Sequence, residues 1–94
     1  MAVSVIHNQE DQAFYATVHG YEAELAYSMP AADTIDFTHT FVDENLRGQG
    51  VGEEMARAAL AYARDQHFKV LTSCHFVAAF VKRHQAEYEN LLSK

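Results

Sequence analysis

The sequence predicts a mixed α/β fold, a mostly antiparallel sheet that contains one parallel β-loop-α-β unit. Three observations support this prediction: short strand-like segments fill the first part of the chain, the clearest strand runs into a glycine-rich turn, and an alanine-rich amphipathic helix then precedes another strand. Short turns join antiparallel neighbours, whereas two strands joined through a helix lie parallel with a right-handed crossover.

The N-terminal part predicts a meander of antiparallel strands, because aromatic, β-branched and alternating apolar residues are separated by polar turns. The expected strands are 3–6, 13–18 and 22–29. Pro30 is expected to end the third strand and to open a turn over 30–33. His7 and His19 are expected to be solvated residues of turns or strand ends.

The clearest strand is 34–42, in which alternation places Ile35, Phe37, His39 and Phe41 on one face. His39 is then the polar exception on a core face. One interpretation is a neutral, buried histidine that is hydrogen-bonded within the core. The other is a general base or proton relay that faces a cleft. No metal site is expected, because no cysteine or histidine partner stands at zinc-ligand spacing.

The C-terminal part predicts alternating helices and a strand, because small and apolar residues recur at helical spacing on both sides of a short β-branched segment. The expected elements are a helix over 51–68, a strand over 69–74, a short helix over 75–84 and a last helical turn over 85–92. Glu53 and Glu54 fall in the first turn of the long helix, where acidic side chains complement the helix dipole.

Cys74, the only cysteine, is expected at the carboxyl end of its strand, beside the glycine-rich turn that ends the parallel strand. Ligands gather at that end of parallel strands. A free cysteine is most often a small buried hydrophobe. At a helix N-terminus, however, a thiolate is favoured, and His39 could accept its proton to form an acyl-accepting pair. A single cysteine excludes an internal disulfide and fits a reducing cytoplasm.

The turn Arg47-Gly48-Gln49-Gly50-Val51-Gly52 is typical of a phosphate-binding loop between a strand and a helix. Glycines let the backbone approach a ligand, and the free amides and dipole of a helix N-terminus favour an anion. The dinucleotide fingerprint is excluded because Glu53 replaces its third glycine, and the triphosphate loop because Gly-Lys-Ser/Thr is missing. The alternative is an ordinary glycine turn with a solvated Arg47.

Composition narrows the function classes further. A chain of 94 residues predicts one domain over 1–94, without an apolar run that could cross a membrane and without the basic start of a secretory signal. Its formal net charge of −6, from 13 acidic and 7 basic residues, disfavours nucleic acid and favours a neutral or cationic partner.

Together with the loop, the segments 37–42 and 69–77 resemble the small single-domain acetyltransferases of the GNAT superfamily, such as the bacterial YjdJ-type and plant small acetyltransferase proteins. The loop matches the Gln/Arg-x-x-Gly-x-Gly/Ala pattern of that superfamily, and the resemblance extends over residues 12–92. It implies a splayed cofactor cleft, binding of acetyl-CoA or coenzyme A, and acetyl transfer to an amine on a small molecule or polypeptide. A monomer or weak homodimer is expected.

The resemblance also implies roles for particular residues. His39 and Cys74 are the catalytic residues that it implies, either with His39 as base for direct attack by the amine or with Cys74 carrying the acetyl group. The edge of strand residues 40–42 would pair with the pantetheine arm, and the loop amides with Arg47 would hold the pyrophosphate. The expected cofactor contacts are Phe41, Val42, Arg47, Gly48, Gln49, Gly50, Val51, Gly52 and Cys74.

Two departures from the larger GNAT enzymes favour an alternative function. Val81 stands where those enzymes carry a proton-donating tyrosine, with Tyr88 a distant substitute, and the N-terminal helices that build their acceptor pocket are missing. The alternative is a non-catalytic sensor or interaction module that binds coenzyme A or acetyl-CoA.

Overall fold

The computed structural model describes residues 3–91, which form one five-stranded sheet with its strands in sequence order. The strands are Val5–Asn8 (β1), Ala13–Val18 (β2), Tyr21–Ala31 (β3), Thr34–Val42 (β4) and Lys69–Thr72 (β5). The neighbours from β1 to β4 are antiparallel, whereas β4 and β5 are parallel. The predicted mixed sheet with one parallel pair is therefore confirmed.

The helices cover one face of this sheet. They are Val51–Asp65 (α1), His75–Arg83 (α2) and Gln85–Tyr88 (α3), with 3₁₀ turns at Glu44–Leu46 and Glu89–Leu91. Helix α1 contacts β1 to β4, while α2 contacts β4, β5 and α1 itself, so both lie on what we call the inner face. No helix within residues 3–91 is long and apolar enough to span a membrane. The predicted last turn ends at Leu92, outside the described residues.

The core lies between the inner face and α1. Leu25, Ile35 and Phe37 of the sheet are almost fully buried, as are the alanines on the facing side of α1. Small side chains let a helix approach a sheet closely, and burying each large apolar side chain contributes about 1.5 to 3 kcal/mol. The helix residues that reach this core are Val51, Gly52, Met55, Ala56, Ala59, Leu60 and Ala63.

The prediction that Pro30 ends the third strand is wrong, because β3 continues to Ala31. Pairing of β3 with β2 stops at Ala26, so the distal part of β3 is unpaired on that side. Its register with β4 is also irregular between Ser28 and Ala31. Proline is tolerated at such a place, since its missing N–H removes no regular ladder bond.

The prediction of a solvated His7 is also wrong. β1 starts and ends two residues later than expected, so His7 lies within it. The imidazole stacks on Phe14 with ring centroids 4.1 Å apart, and it meets the Tyr62 ring at 4.3 Å. Its Nε2 lies 2.6 Å from the Tyr27 hydroxyl. This partial burial lowers the pKa of His7.

A β-bulge in β4 decides which of its side chains face the helices. From Ala26 to Tyr27, β3 advances one residue while its partner positions in β4 move from His39 to Phe37, which leaves Thr38 as the extra residue. A bulge of this kind exchanges the faces of all side chains beyond it.

The prediction that His39 and Phe41 share the core face with Phe37 is therefore wrong. Both lie on the outer face, where His39 is exposed and Phe41 keeps 48% of its surface accessible. Thr40 and Val42 take the inner positions, opposite the buried Leu25 and Ala23 of β3.

Candidate active site

The sheet opens between β4 and β5. Their parallel pairing ends with Phe37 opposite Thr72, although β4 continues to Val42. The chain after β5 instead turns into α2, and the Cys74 N–H donates to the Phe37 carbonyl at 2.7 Å. Among residues 3–91, no strand pairs with the β5 side of β4 beyond Phe37. The backbone groups of Thr40 and the backbone N–H of Val42 on this open edge are available to a ligand.

A self-supporting turn connects β4 to α1. The Asp43 carboxylate accepts hydrogen bonds from the backbone and side chain of Asn45, at 2.8 and 2.9 Å, and these bonds lower the pKa of Asp43. Leu46 is buried to 1% exposure and anchors the turn in the core. The Gln49 side chain donates to the Asn45 carbonyl at 2.9 Å. The backbone that follows is therefore held in place before any ligand arrives.

The N-terminus of α1 offers unpaired backbone amides. Gly50 caps the helix in a left-handed conformation, with φ of +79°, and no side chain caps it. The first intrahelical bond runs from the Glu54 N–H to the Gly50 carbonyl, so the earlier amides of Val51 and Gly52 point out of the helix. A Cβ on Gly50 would meet nothing within 4 Å, so this end faces open space.

A cavity of about 320 Å³ lies at this helix end. It is bounded by the inner side of β4, the turn and the first turn of α2. Its lining residues are Thr40, Val42, Leu46, Arg47, Gly48, Gly50, Val51, Gly52, Glu53 and Phe76. Six of the nine residues predicted to contact a cofactor line this cavity, namely Val42, Arg47, Gly48, Gly50, Val51 and Gly52.

The other three predicted contacts do not line the cavity. Phe41 points to the outer face because of the bulge, and the Gln49 N–H already donates to the Leu46 carbonyl at 3.3 Å. Cys74 is not a lining residue but contacts one, since its Sγ lies 3.1 Å from the Thr40 Oγ1. Phe76 of α2, which is not among the predicted contacts, forms part of the wall.

The contact between Gly52 and Phe76 sets the width of the cavity. A Cβ on Gly52 would lie 2.7 Å from the Phe76 Cζ, closer than non-bonded carbon atoms approach each other. Glycine at this position therefore lets the ring lie directly against the first turn of α1. Any larger residue there would push the ring aside.

Charges of both signs border the cavity. Arg47 donates from Nε to the Val42 carbonyl at 3.3 Å, which holds its exposed guanidinium at the mouth. Glu53 lines the same space with an exposed carboxylate. An anion bound here would be attracted by Arg47 and the α1 dipole and repelled by Glu53.

Cys74 is the N-cap of α2, and its side chain makes no capping hydrogen bond. The residue is only 8% exposed, and its Sγ lies 3.1 Å from the Thr40 Oγ1. The preceding Ser73 is held by Asp36, whose carboxylate accepts from the Ser73 backbone N–H at 3.1 Å and from its hydroxyl at 2.9 Å. The thiol thus has a fixed position on the inner side of the sheet.

The predicted pairing of His39 with Cys74 is not formed. The bulge turns His39 outward and brings Thr40 to the sulfur in its place. The sequence held a weak signal for this: Phe37 and Val42 are separated by five positions, an odd number, although both are apolar and both lie on the inner face. An extra residue in the strand reconciles that spacing.

Neither Val81 nor Tyr88, the two positions considered for a proton-donating tyrosine, places a hydroxyl group at the cavity. Val81 is 4% exposed in the core, and the Tyr88 hydroxyl lies 3.5 Å from the Arg57 guanidinium rather than at the cavity. Burial raises the pKa of Tyr88. No cluster of histidine, cysteine and carboxylate side chains within the described part of the chain could hold a metal ion.

These features define an α/β domain with a ligand cavity between a glycine loop and the opening of a mixed sheet. The family model described as GCN5-related N-acetyl-transferase matches residues 13–91 of this chain. The chain therefore belongs to the GCN5-related N-acetyltransferase family, and the resemblance found in the sequence is confirmed.

Relatives and a solved structure agree with this assignment. Protein NATD1 of Xenopus tropicalis is 26% identical over 83 residues, covering 86% of this chain and 76% of that protein. Human NATD1 is 27% identical over 82 residues, covering 85% and 73%. The solution structure of a GCN5-like protein from Staphylococcus aureus matches with a TM-score of 0.75 and 25% identity, covering 96% of this chain and 87% of that one.

Proposed function

We propose that this chain is an acetyl-CoA-dependent N-acetyltransferase that transfers an acetyl group to an amine. The observation that carries the proposal is the continuity of one cavity, from the free amides at the start of α1 to Thr40, whose hydroxyl touches the Cys74 sulfur. A ligand with a diphosphate at one end and a thioester at the other would place the diphosphate at the free amides and the thioester near Thr40 and Cys74.

The residues present fit such a ligand. The amides of Gly50, Val51 and Gly52, together with Arg47, would hold the pyrophosphate. No side chain caps this helix end, and the space next to Gly50 is open. The open edge of β4 at Thr40 and Val42 would pair with the amides of the pantetheine arm, as a neighbouring strand would. Because the Glu53 carboxylate would repel the phosphates, the attraction that Arg47 supplies is needed to hold them.

The chemistry depends on the groups beside Thr40. When bound, acetyl-CoA supplies an acetyl group activated as a thioester. The chain offers the Cys74 thiol there, at the N-cap of α2. The Thr40 hydroxyl, 3.1 Å from the sulfur, could donate a hydrogen bond to it. His39 faces the opposite side of β4, where it could accept a proton from an amine that arrives over the outer face.

A second function, binding without turnover, is favoured by one specific observation. Among the described residues, no tyrosine lines the cavity. Val81 and Tyr88, the two positions considered for a proton donor, are both buried in the core. A domain without a proton donor for the leaving thiolate could serve as a sensor of acetyl-CoA.

Calorimetric titration with acetyl-CoA tests the loop. We expect saturable binding by the wild type. Gly50→Glu should lower the affinity more than about a hundredfold, because it adds a carboxylate where the pyrophosphate would bind, and Arg47→Ala roughly tenfold, because it removes a cation that attracts the pyrophosphate. Gly20→Glu is the matched control, because Gly20 also has a positive φ of +81° but lies in the β2–β3 turn. Equal affinity of all four proteins would exclude the loop as the binding site.

Mass spectrometry after incubation with acetyl-CoA separates the two functions. An acetyl adduct on Cys74, or release of free coenzyme A when an amine is added, supports the transferase. Saturable binding without either product supports the sensor.

A further inference from the structure

The outer face of the sheet is uncovered in the described part of the chain, because α1 and α2 both lie on the inner face. One row of side chains crosses four strands of this face. Ile6 lies opposite Tyr15, Tyr15 opposite Glu24, and Glu24 opposite Phe41. At the usual spacing of strands the row is roughly 14 Å long, which matches about four residues of an extended peptide.

The two ends of this row, which we call the outer row, are apolar and exposed. Ile6 is 65% exposed and Phe41 48%, and they are two of the three large hydrophobic residues most exposed among residues 3–91. Scattered apolar side chains are ordinary at a surface, but two at the ends of one cross-strand row can contact a single ligand.

The middle of the outer row is negatively charged. The Tyr15 hydroxyl donates to the Asp11 carboxylate at 3.0 Å. That bond raises the pKa of Tyr15, and the nearby charges of Glu24 and Glu22 raise it further. None of the ion pairs within residues 3–91 involves these three carboxylates. The charge at this surface is therefore not neutralised by the described residues.

We propose that the outer row binds a basic, extended segment of a polypeptide, with apolar side chains over Ile6 and Phe41 and lysine or arginine side chains against Glu22 and Glu24. Charge complementarity selects this occupant, since the formal net charge of −6 attracts cations at long range. A second copy of the chain would bring the same carboxylates against each other, which opposes a symmetric dimer through this face.

The position of the outer row gives the segment a role. Phe41 is two residues from His39 on the outer side of β4, the strand whose open edge borders the Cys74 turn. A lysine near the end of the bound segment would lie next to that opening. On the proposed function, the acceptor is therefore a lysine-bearing polypeptide.

NMR titration without any cofactor tests the surface apart from the catalysis. The probe is a short unstructured peptide of lysine, leucine and glycine, and its control has each lysine replaced by glutamate. We expect saturable shifts of the Ile6, Tyr15, Glu24 and Phe41 amides with the first peptide only. The double variant Glu22→Gln/Glu24→Gln should raise the dissociation constant roughly fivefold to tenfold, as expected for two exposed ion pairs. Phe41→Ser should weaken binding by a similar factor.

The matched control is Asp65→Asn/Glu89→Gln, which removes the same charge at exposed positions of α1 and the last 3₁₀ turn. If this control weakens binding equally, only net charge matters and the outer row is not the site. No saturable shift, or concentration-dependent shifts of the outer row without peptide, would also overturn the proposal, the latter by showing a second copy as the occupant. If the wild type binds acetyl-CoA but not the peptide, the outer row is refuted and the proposed function is not. If it binds the peptide but not acetyl-CoA, only the proposed function is refuted.

Discussion

The two edges of the sheet are built in opposite ways. At the β1 edge, every residue of β1 is paired with β2, and a cluster of aromatic rings fills the space between these strands and α1. At the β5 edge, pairing stops halfway along β4 and a cavity of about 320 Å³ takes the place of packed side chains. Burial of large rings stabilises a domain, whereas a ligand needs space and free backbone groups.

The residue types at each edge explain the difference. Phe14, Tyr27 and Tyr62 surround His7 at the first edge, with ring centroids within 6 Å of at least one neighbour. At the second edge, glycines replace large side chains along the start of α1. Stability and ligand binding are thus expected to respond to substitutions at different ends of the molecule.

The largest expected effect is on stability, from Phe14→Ala at the β1 edge. Phe14 is 3% exposed and contacts three other rings, so its truncation should lower the free energy of unfolding by about 3 to 5 kcal/mol. Urea denaturation measures it. Because a domain of this size has little stability to lose, Phe14→Leu, at about 1 kcal/mol, is the variant for binding measurements. Its acetyl-CoA affinity should equal that of the wild type, and a tenfold loss would contradict the separation of the two edges.

The converse effect is expected from Gly52→Ala at the β5 edge. Its Cβ forces the Phe76 ring, which lines the cavity, out of its position, so acetyl-CoA affinity should fall roughly tenfold. The free energy of unfolding should change by less than about 1 kcal/mol, since better helix propensity offsets part of the strain. The double variant Gly52→Ala/Phe76→Ala relieves the contact. Recovery of affinity in that protein checks the cause, and a single variant that binds as well as the wild type would show that the ring does not bound the site.

A smaller effect distinguishes the two candidate partners of the thiol. If the Thr40 hydroxyl donates to Cys74, Thr40→Val should slow alkylation of Cys74 by iodoacetamide about threefold to tenfold near neutral pH. His39→Ala should leave that rate unchanged, because His39 faces the other side of β4. Slower alkylation in His39→Ala with an unchanged rate in Thr40→Val would instead support the predicted pairing of His39 with Cys74.

This pair of residues marks the limit of prediction from the sequence. The antiparallel meander, the parallel unit, the glycine loop and the location of Cys74 between β5 and α2 all follow from local patterns that the structure confirms. The faces of Thr40 and His39 do not, because they depend on one extra residue in β4, and register with β3 is a long-range property.

The cavity wall shows the same limit. The loop glycines are recognisable from spacing, but the partner of Gly52 is Phe76 on another helix, which only tertiary packing brings close. The aromatic contacts of His7 are equally hidden, since its partners are spread from Phe14 to Tyr62 along the chain. Local signals thus predict which elements form, and tertiary contacts decide how their side chains meet.

The smallest expected effect is the contribution of His7 to the pH dependence of stability. His7 is a titratable group within the packed β1 edge, so pH should affect the stability of that edge without affecting ligand binding at the β5 edge. Desolvation lowers the pKa of His7 in the folded state below its unfolded value. The unfolded chain then binds more protons as the pH falls through about 6.5, so the stability that His7 contributes is complete above that pH and is lost as the pH falls through the folded value. The neighbouring Tyr27 has a raised pKa and stays neutral throughout this range.

The measurement is urea denaturation between roughly pH 7.5 and 5, comparing the wild type with His7→Gln. Both proteins share the titration of the carboxylates and of the other five histidines, so the difference between their unfolding free energies isolates His7. We expect the wild type to lose more stability on acidification than the variant, while acetyl-CoA affinity at the β5 edge follows the same pH profile in both. Parallel stability curves would mean that the aromatic cluster accommodates the charged imidazole. A difference in the affinity profiles would mean that the two edges are coupled.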